Sequence, residues 1–459
     1  PMHVSHPEIF KAYDIRGIVG QSLTADIVEQ IGRAIGTEAL AAGDRAVVVG
    51  RDGRLSGPTI AGALMEGICA TGCDAVDIGM VPTPLTYFAT EALDIGSAVS
   101  VTGSHNPPDY NGLKVMIGTH TLAAERIQDL RKRIENREFS VGTGQRRAED
   151  VVPEYMRRVV ADVRLKRPLR VVTDCGNGVA GMAAPQLMRD IGCDVVELFS
   201  EVDGTFPNHH PDPSVADNLA PLIEAVHREE ADLGVAFDGD GDRLGVVTDT
   251  GQVIWPDRQM ILFAQDILSR NPGAKIIYDV KCTRLLPAAI KHAGGDALMW
   301  KTGHSFIKAK LRETGGAFAG EMSGHLFFKE RWYGFDDALY AAARLCEVLS
   351  NDTRLPSAVF AEIPDTVNTP ELRIEMQEGE HHALVGELVA EGDFSGGQIC
   401  NIDGVRVDFE DGFGLARASN TTPTVILRFE ADTEVALRRI QNLYREQILA
   451  LRPELTLPF

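Results

Sequence analysis

The stretch AVVVGRDGRLSGPTIAGALMEGICATGCDAVDIG, residues 46–79, decides the fold. A β-branched run meets a Gly-containing turn, an apolar-periodic segment near 58–70 follows, and a Gly-x-Asp step opens a second short run. The change of period reads as strand, helix, strand. Ser56 offers an N-cap and Pro58 suits a first helical turn. The plan recurs twice. LRVVTDCGNGVAG at 169–181, a helix near 181–190 and IGCDVVELF at 191–199 form one copy; AKIIYDVKC at 274–282, a helix near 284–293 and AGGDALMWK at 293–301 form the other. Repeated strand, crossover helix and parallel strand argue for α/β domains that bind ligands at the carboxyl ends of their strands. After about residue 366 the plan stops. DGVRVDFEDGFGLARASNTTPTVILRFEAD, residues 403–432, leads instead to a helix near 433–451, a separate α+β domain. The expectation is three similar α/β mixed-sheet domains and a C-terminal α+β domain, at 1–150, 151–255, 256–365 and 366–459.

Length and composition agree with this. At 459 residues and 44% hydrophobic content the chain can hold about three or four domains. Its 45 basic and 66 acidic side chains leave a net charge of −21, the wrong sign for a nucleic-acid partner. That field also repels small anions, so a sugar-phosphate ligand would need a local cluster of Arg, Lys and His. The first residues lack the basic and apolar regions of a secretory signal, and no stretch of about 18 apolar residues occurs, so no membrane and a cytoplasmic location are expected. The seven cysteines are scattered without a CxxC pair and read as free buried thiols. Cys73 and Cys193 occupy matching places in two repeats, which suits packing.

The chemistry sits in the turns. In ADLGVAFDGDGDRLGVVTD, Asp238, Asp240 and Asp242 alternate with glycines between two strand-like runs. Three hard oxygen donors on such a turn suit Mg²⁺, which completes its shell with water and phosphate oxygens. A calcium EF-hand would need Gly at the sixth place and Glu at the twelfth, where this chain has Arg243 and Asp249; a solvated acidic turn is the bland alternative. In SVTGSHNPPDYNGLK, prolines stiffen a loop that presents Ser104 as a rigid, exposed hydroxyl, a nucleophile or phosphate carrier with Lys114 nearby to offset charge. An ordinary Ser/Asn turn is equally compatible with that stretch alone. GEMSGHLFFKE brings Glu321, Ser323 and His325 into one loop suited to sugar hydroxyls. GLARASNTTP offers Arg417, Ser419, Asn420 and Thr421 for a phosphate. Lys281 and His304 follow strands of the third repeat and count only as members of a cluster.

KAYDIRG near the start, TGSHNPPDYNG, DGDGDR, GEMSGH and RASNTT, in that order along the whole chain, resemble the α-D-phosphohexomutases, most closely the bacterial phosphomannomutase/phosphoglucomutase branch. The resemblance implies four domains in a heart shape around a central cleft. It makes Ser104 the phosphoserine and Asp238, Asp240 and Asp242 the Mg²⁺ ligands beside a phosphoserine oxygen. It places Tyr13, Arg16, Lys114 and Arg243 near the transferring phosphoryl group. Glu321 and Ser323 then hold the sugar hydroxyls, Arg417, Ser419, Asn420 and Thr421 hold the phosphate that is not reacting, and Lys281 and His304 lie in the cleft as acid/base or orienting groups.

The implied activity interconverts the 1- and 6-phosphates of mannose and glucose through a 1,6-bisphosphate, supplying sugar-nucleotide and polysaccharide synthesis, with glucose 1,6-bisphosphate as activator. Met322 resembles the mannose/glucose branch, whereas glucosamine enzymes typically carry Gln there. A phosphoglucosamine mutase, a sugar-phosphate phosphatase and a calcium-binding module are the alternatives. Hexose phosphates are the expected partners of a monomer. The general base stays open, with His304 a candidate by its ordinary pKa.

Overall fold

The structure, a computed structural model, describes residues 3–459. Each repeat folds into two parallel neighbouring strands joined by a helix. Ala46–Arg51 pairs with Asp74–Met80 across helix Gly57–Cys69. Arg170–Asp174 pairs with Asp194–Leu198 across a 3₁₀ turn, Val179–Met182, and helix Ala184–Asp190. Lys275–Asp279 pairs with Asp296–Trp300 across helix Leu285–His292.

Every sheet then grows on its other side in the same way. A third parallel strand lies beside the first: Ser97–Val101, Leu233–Phe237 and Phe318–Gly320 in turn. Each returns antiparallel, as Tyr110–Ile117, Leu244–Thr248 and Leu326–Phe328. These are the mixed α/β sheets expected. The serine, aspartate and sugar loops are thus three equivalent hairpin connections. The last sheet is antiparallel throughout, and its central hairpin, Gly412–Ala418 to Thr424–Ala431, carries the Arg417 loop. Helix Glu434–Leu451 packs on it, its first turn capped by Thr433 accepting from Ala436 N.

Pro58 does sit in the first turn of its helix, but the Ser56 side chain makes no capping bond. Its hydroxyl instead accepts from Asn111 Nδ2 at 2.9 Å, because the strand after the serine loop crosses there. One apolar core runs through the first three sheets, with Phe88, Tyr155, Trp332 and Tyr340 in aromatic contact. Burial of this kind stabilises by about 25 cal/mol per Å² of apolar surface. The last sheet has its own core and meets the third through Arg406, which lies 3.8 Å over the Phe413 ring and donates to Val280 O and Cys282 O. The cysteines are unpaired, and Cys73 and Cys193 are buried. Among the described residues, no helix is long and apolar enough to cross a membrane.

Candidate active site

Ser104 follows the strand Ser97–Val101 in a left-handed conformation, φ +54°, unfavourable for a side chain with a Cβ and sustained only by its surroundings. Its amide donates to Thr102 Oγ1 at 2.8 Å, and Thr102 donates in turn to Asp52 Oδ2 at 2.7 Å. The buried Arg54 guanidinium gathers the loop's carbonyls: Nη1 donates to Pro107 O at 2.5 Å and Tyr110 O at 3.0 Å, Nη2 to Asn106 O at 2.7 Å and Ser104 O at 3.2 Å. The hydroxyl is rigid, as the prolines suggest, but not exposed: Ser104 is only 2% accessible. Gly239 of the aspartate loop lies against it so closely that a Cβ there would overlap the Ser104 carbonyl.

Ser104 Oγ lies 3.1 Å from Asp240 Oδ1. Asp238, Asp240 and Asp242 present carboxylate oxygens all within 4.8 Å of one another, around a turn that Gly241 closes at φ +77°. All three are buried, which excludes a solvated acidic turn. Lys114 Nζ bridges Asp240 Oδ2 and Asp242 Oδ2, each at 2.7 Å, and together with burial, which opposes it, the two carboxylates leave the ammonium's pKa well above its ordinary value. One cation does not satisfy the cluster. Asp238 Oδ2 and Asp242 Oδ1 are buried without a hydrogen-bond partner among the described residues. Burial, with repulsion from Asp242 and Asp240, pushes the Asp238 carboxyl well above the usual range. Orphaned hard oxygens of this sort fit a divalent ion such as Mg²⁺, which would relieve that repulsion.

Arg243 leaves the same turn, donating from Nε to Ser323 O at 2.8 Å and so tying the aspartate loop to the sugar loop. His325 Nδ1 lies 2.9 Å from Asp336 Oδ2 and 3.9 Å from Asp242 Oδ2. Burial works to lower its pKa, yet Asp242 and Asp336 outweigh burial and hold it above the ordinary histidine value. Stacked on it at 5.5 Å is His304, the first residue of helix His304–Thr314. Burial, assisted by Lys308, drives that imidazole's pKa well below the ordinary value. Glu321 accepts from Gly303 N at 2.7 Å, and burial raises its carboxyl to about 7. The Ser323 hydroxyl is buried with no partner among the described residues. Lys281 stands further out, its ammonium 3.3 Å from Glu371.

Tyr13 and Arg16 precede and begin the edge strand Ile15–Ile18. Arg16 donates to Asn106 Oδ1 at 2.6 Å and pairs with Asp14 at 2.5 Å, at the rim of the serine loop. The Tyr13 hydroxyl donates to Thr302 O and accepts from Asn420 Nδ2 at 2.9 Å, so the first and last sheets touch across the site. Arg417 Nε donates to Asp403 at 3.1 Å, and Ser419 Oγ accepts from the amides of Thr421 and Thr422. The four motif loops, with Tyr13 and Arg16, therefore surround one site. Sequence reasoning missed Arg54, Asp52 and Asp336. An Asp or Arg in a polar turn carries no signal of burial; only the recurrence of Asp at the end of each repeat's first strand, Asp52, Asp174 and Asp279, could have raised it.

Four family models match in succession: phosphoglucomutase/phosphomannomutase alpha/beta/alpha domain I at 7–141, domain II at 153–251, domain III at 255–367, and the C-terminal domain at 371–447. A phosphomannomutase/phosphoglucomutase of Pseudomonas aeruginosa is 54% identical over 98% of this chain and 97% of its own. A phosphoglucomutase of Neisseria meningitidis is 53% identical over 98% of each. The crystal structure of a phosphoglucomutase/phosphomannomutase family protein from Burkholderia thailandensis superposes with a TM-score of 0.96 at 53% identity, covering both chains completely.

Proposed function

The chain belongs to the phosphoglucomutase/phosphomannomutase family, and from that membership we infer the reaction of its cleft. It is a phosphohexomutase that interconverts the 1- and 6-phosphates of mannose and of glucose. The observation that carries the residue roles is the placing of Ser104 Oγ 3.1 Å from a buried triad of carboxylates with orphaned oxygens. Asp238, Asp240 and Asp242, with an oxygen of phosphorylated Ser104, would hold Mg²⁺, which would supply charge neutralisation at the transferring phosphoryl group.

The serine's P–O bond breaks as the free hydroxyl oxygen of a hexose monophosphate bonds to phosphorus. Lys114, Arg16 and Arg243 offset charge on the equatorial oxygens. The hydroxyl's proton passes to the stacked His304 and His325 pair, in which burial with Lys308 lowers the His304 pKa while, against burial, Asp242 and Asp336 raise that of His325, a separation suited to acid/base work. Glu321 and Ser323 take the sugar hydroxyls, with His325 and Lys281 beside them. Arg417, Ser419, Asn420 and Thr421 hold the phosphate that is not reacting, while Tyr13 links that loop to the serine side. The resulting 1,6-bisphosphate turns over and returns its other phosphate to Ser104 Oγ, restoring the enzyme.

In this reading glucose 1,6-bisphosphate activates by rephosphorylating Ser104, the enzyme acts as a cytoplasmic monomer, and its units divide near residues 150, 255 and 365. Phosphorus NMR of mannose 1-phosphate mixed with the protein, magnesium and a trace of glucose 1,6-bisphosphate tests the reading. Growth of the 6-phosphate signal alone is expected; steady release of inorganic phosphate would make the protein a phosphatase.

A further inference from the structure

A cavity of about 400 Å³ lies between helix Thr83–Ala92 of the first unit and helix His304–Thr314 of the third, apart from the serine, aspartate and Arg417 loops. Its size is that of an ordinary small-molecule site. One part of its wall is aromatic: Tyr333 and Phe335 lie 6.0 Å apart and 6° from coplanar, and Tyr87 sits 5.9 Å from Phe335. Another part is cationic, with Lys308, Arg312 and Lys329 against the single carboxylate of Glu91. On a chain of net charge −21 this is a local reversal of sign.

Two wall residues carry buried polar atoms that make no hydrogen bond among the described residues, Lys308 Nζ and Tyr87 Oη. The Tyr87 residue is 3% exposed. The Lys308 ammonium lies 4.1 Å over the Tyr87 ring and 3.0 Å from Asp336 Oδ1, an ion pair without hydrogen-bond geometry. Buried donors in this condition are costly, and an oxyanion is the acceptor that would relieve them. Flat rings beside such cations suit a planar body attached to it.

We propose that this cavity is a second ligand site, for a small monophosphate carrying a flat ring, and that Lys308, Asp336 and His325 transmit its occupancy to the cleft. Lys308 pairs with one oxygen of Asp336, and the other lies 2.9 Å from His325 Nδ1. The His325 ring stacks on His304 and lies 3.9 Å from Asp242. A phosphate at Lys308 competes with Asp336 for the ammonium. Asp336 is then free to shift with His325, and the cleft responds through a group that touches neither ligand's phosphate.

Adenosine monophosphate is the probe, titrated calorimetrically into full-length protein. The binding depends on no assumption about the reaction; only the transmission rests on the mutase reading. Wild type and Arg417→Ala should bind it alike, since the latter removes only the cleft's phosphate grip. Ala309→Trp, which fills the cavity from an exposed helix position, and Arg312→Glu, which reverses an exposed wall charge, should each weaken binding at least about fivefold. Both should keep their turnover without the probe. Saturating probe should change kcat for glucose 1-phosphate in wild type and leave kcat of Ala309→Trp unaltered. Absence of binding up to about 5 mM, far weaker than a functional metabolite site requires, would overturn the site. So would binding lost in Arg417→Ala but kept in Ala309→Trp and Arg312→Glu, which would place the probe in the cleft. Binding in the cavity with kcat unchanged would overturn the transmission through Lys308.

Discussion

Replacing Arg54 tests whether the serine loop is held or merely happens to lie where it does. The Arg54 side chain has no solvent exposure and lies 3.3 Å from Asp52, while donating to four carbonyls between Ser104 and Tyr110. Arg54→Ala strands a buried carboxylate, a loss of about 3–5 kcal/mol. Whole-domain stability of about 5–15 kcal/mol leaves the protein folded at room temperature, so the damage falls on the loop. Ser104 then relaxes from its left-handed backbone, and displacement of a reacting oxygen by roughly 1 Å costs about a hundredfold in rate. Turnover should fall by about that factor, and amide exchange across 102–110 should accelerate. Arg54→Lys should recover the pairing with Asp52 but little turnover, since one ammonium cannot span four carbonyls. Burial already raises the Asp52 carboxyl. Removing Arg54 raises it further, so the protonated form contributes stability below the ordinary carboxylate pKa that is lost as pH rises. The variant's deficit should therefore grow from acid to neutral pH. An Arg54→Ala protein with unchanged exchange in the loop and turnover within twofold of wild type would refute the reasoning.

Ser104→Ala should abolish nearly all turnover while calorimetric affinity for mannose 1-phosphate holds, because in the proposed mechanism the hydroxyl transfers phosphate without anchoring the sugar; activity within a few-fold of wild type would remove its role. Asp240→Asn should shift the magnesium dependence of the rate to higher concentration, since one of the three anionic donors of the proposed site becomes neutral; an unaltered dependence would move the metal elsewhere. Arg417→Ala should weaken mannose 1-phosphate and mannose 6-phosphate equally, by about 1.5–3 kcal/mol, as the proposed mechanism has one loop serve both orientations; a tenfold disparity between them would require two sites. Glu321 has a folded pKa near 7, above its ordinary value, so its stabilising protonated form is complete below the ordinary value and lost as pH rises through 7. Melting of Glu321→Gln against wild type should shift in the variant's favour from pH 5 to pH 8, and a constant difference would mean that Glu321 does not titrate there.

The three strand, helix, strand units were legible because apolar period and the Gly-x-Asp step are local properties of the chain. The strands flanking the hairpin loops were less so, Phe318–Gly320 and Leu326–Phe328 being only three residues each. The residues that convert loops into a site escaped for a different reason. Arg54 meets its partners 50 to 56 residues further along, and nothing in DGRLSG marks the side chain as buried. Ser104 reads as exposed in a polar loop; it is covered because a glycine 135 positions later, Gly239, allows the aspartate turn to lie against its carbonyl. The Ser56 cap failed likewise, through a bond from Asn111 on another strand. Motif identity fixed the candidate residues, while their burial and their supports came from contacts far apart in sequence, both within a unit and between units.

The equivalence of the three hairpins explains how one repeated unit supplies three different tasks. In each repeat an aspartate ends or directly follows the first strand: Asp52, Asp174 and Asp279, all buried. Two of them hold the neighbouring hairpin loop. Asp52 accepts from Thr102 and Gly103 beside Ser104, and Asp279 accepts from Met322 N in the sugar loop. The second repeat departs from this, with Asp174 accepting from Gly176 N and facing His209 Nε2 at 2.8 Å. Its hairpin is the one that carries Asp238, Asp240 and Asp242. A fourth carboxylate aimed at that loop would add repulsion where Asp238 is already driven toward protonation. His209, its pKa raised by Asp174 against the opposing effect of burial, absorbs that charge instead. The aspartate turn is then held by its own amides of Asp242 and Arg243 on Asp238 Oδ1 and by links to the other units: Lys114 and Thr83 from the first, and the Arg243 bond to the third. Geometry of the aspartate loop thus depends on contacts between units as well as within its own, whereas Asp52 and Asp279 each brace the serine and Glu321 loops from inside their own unit.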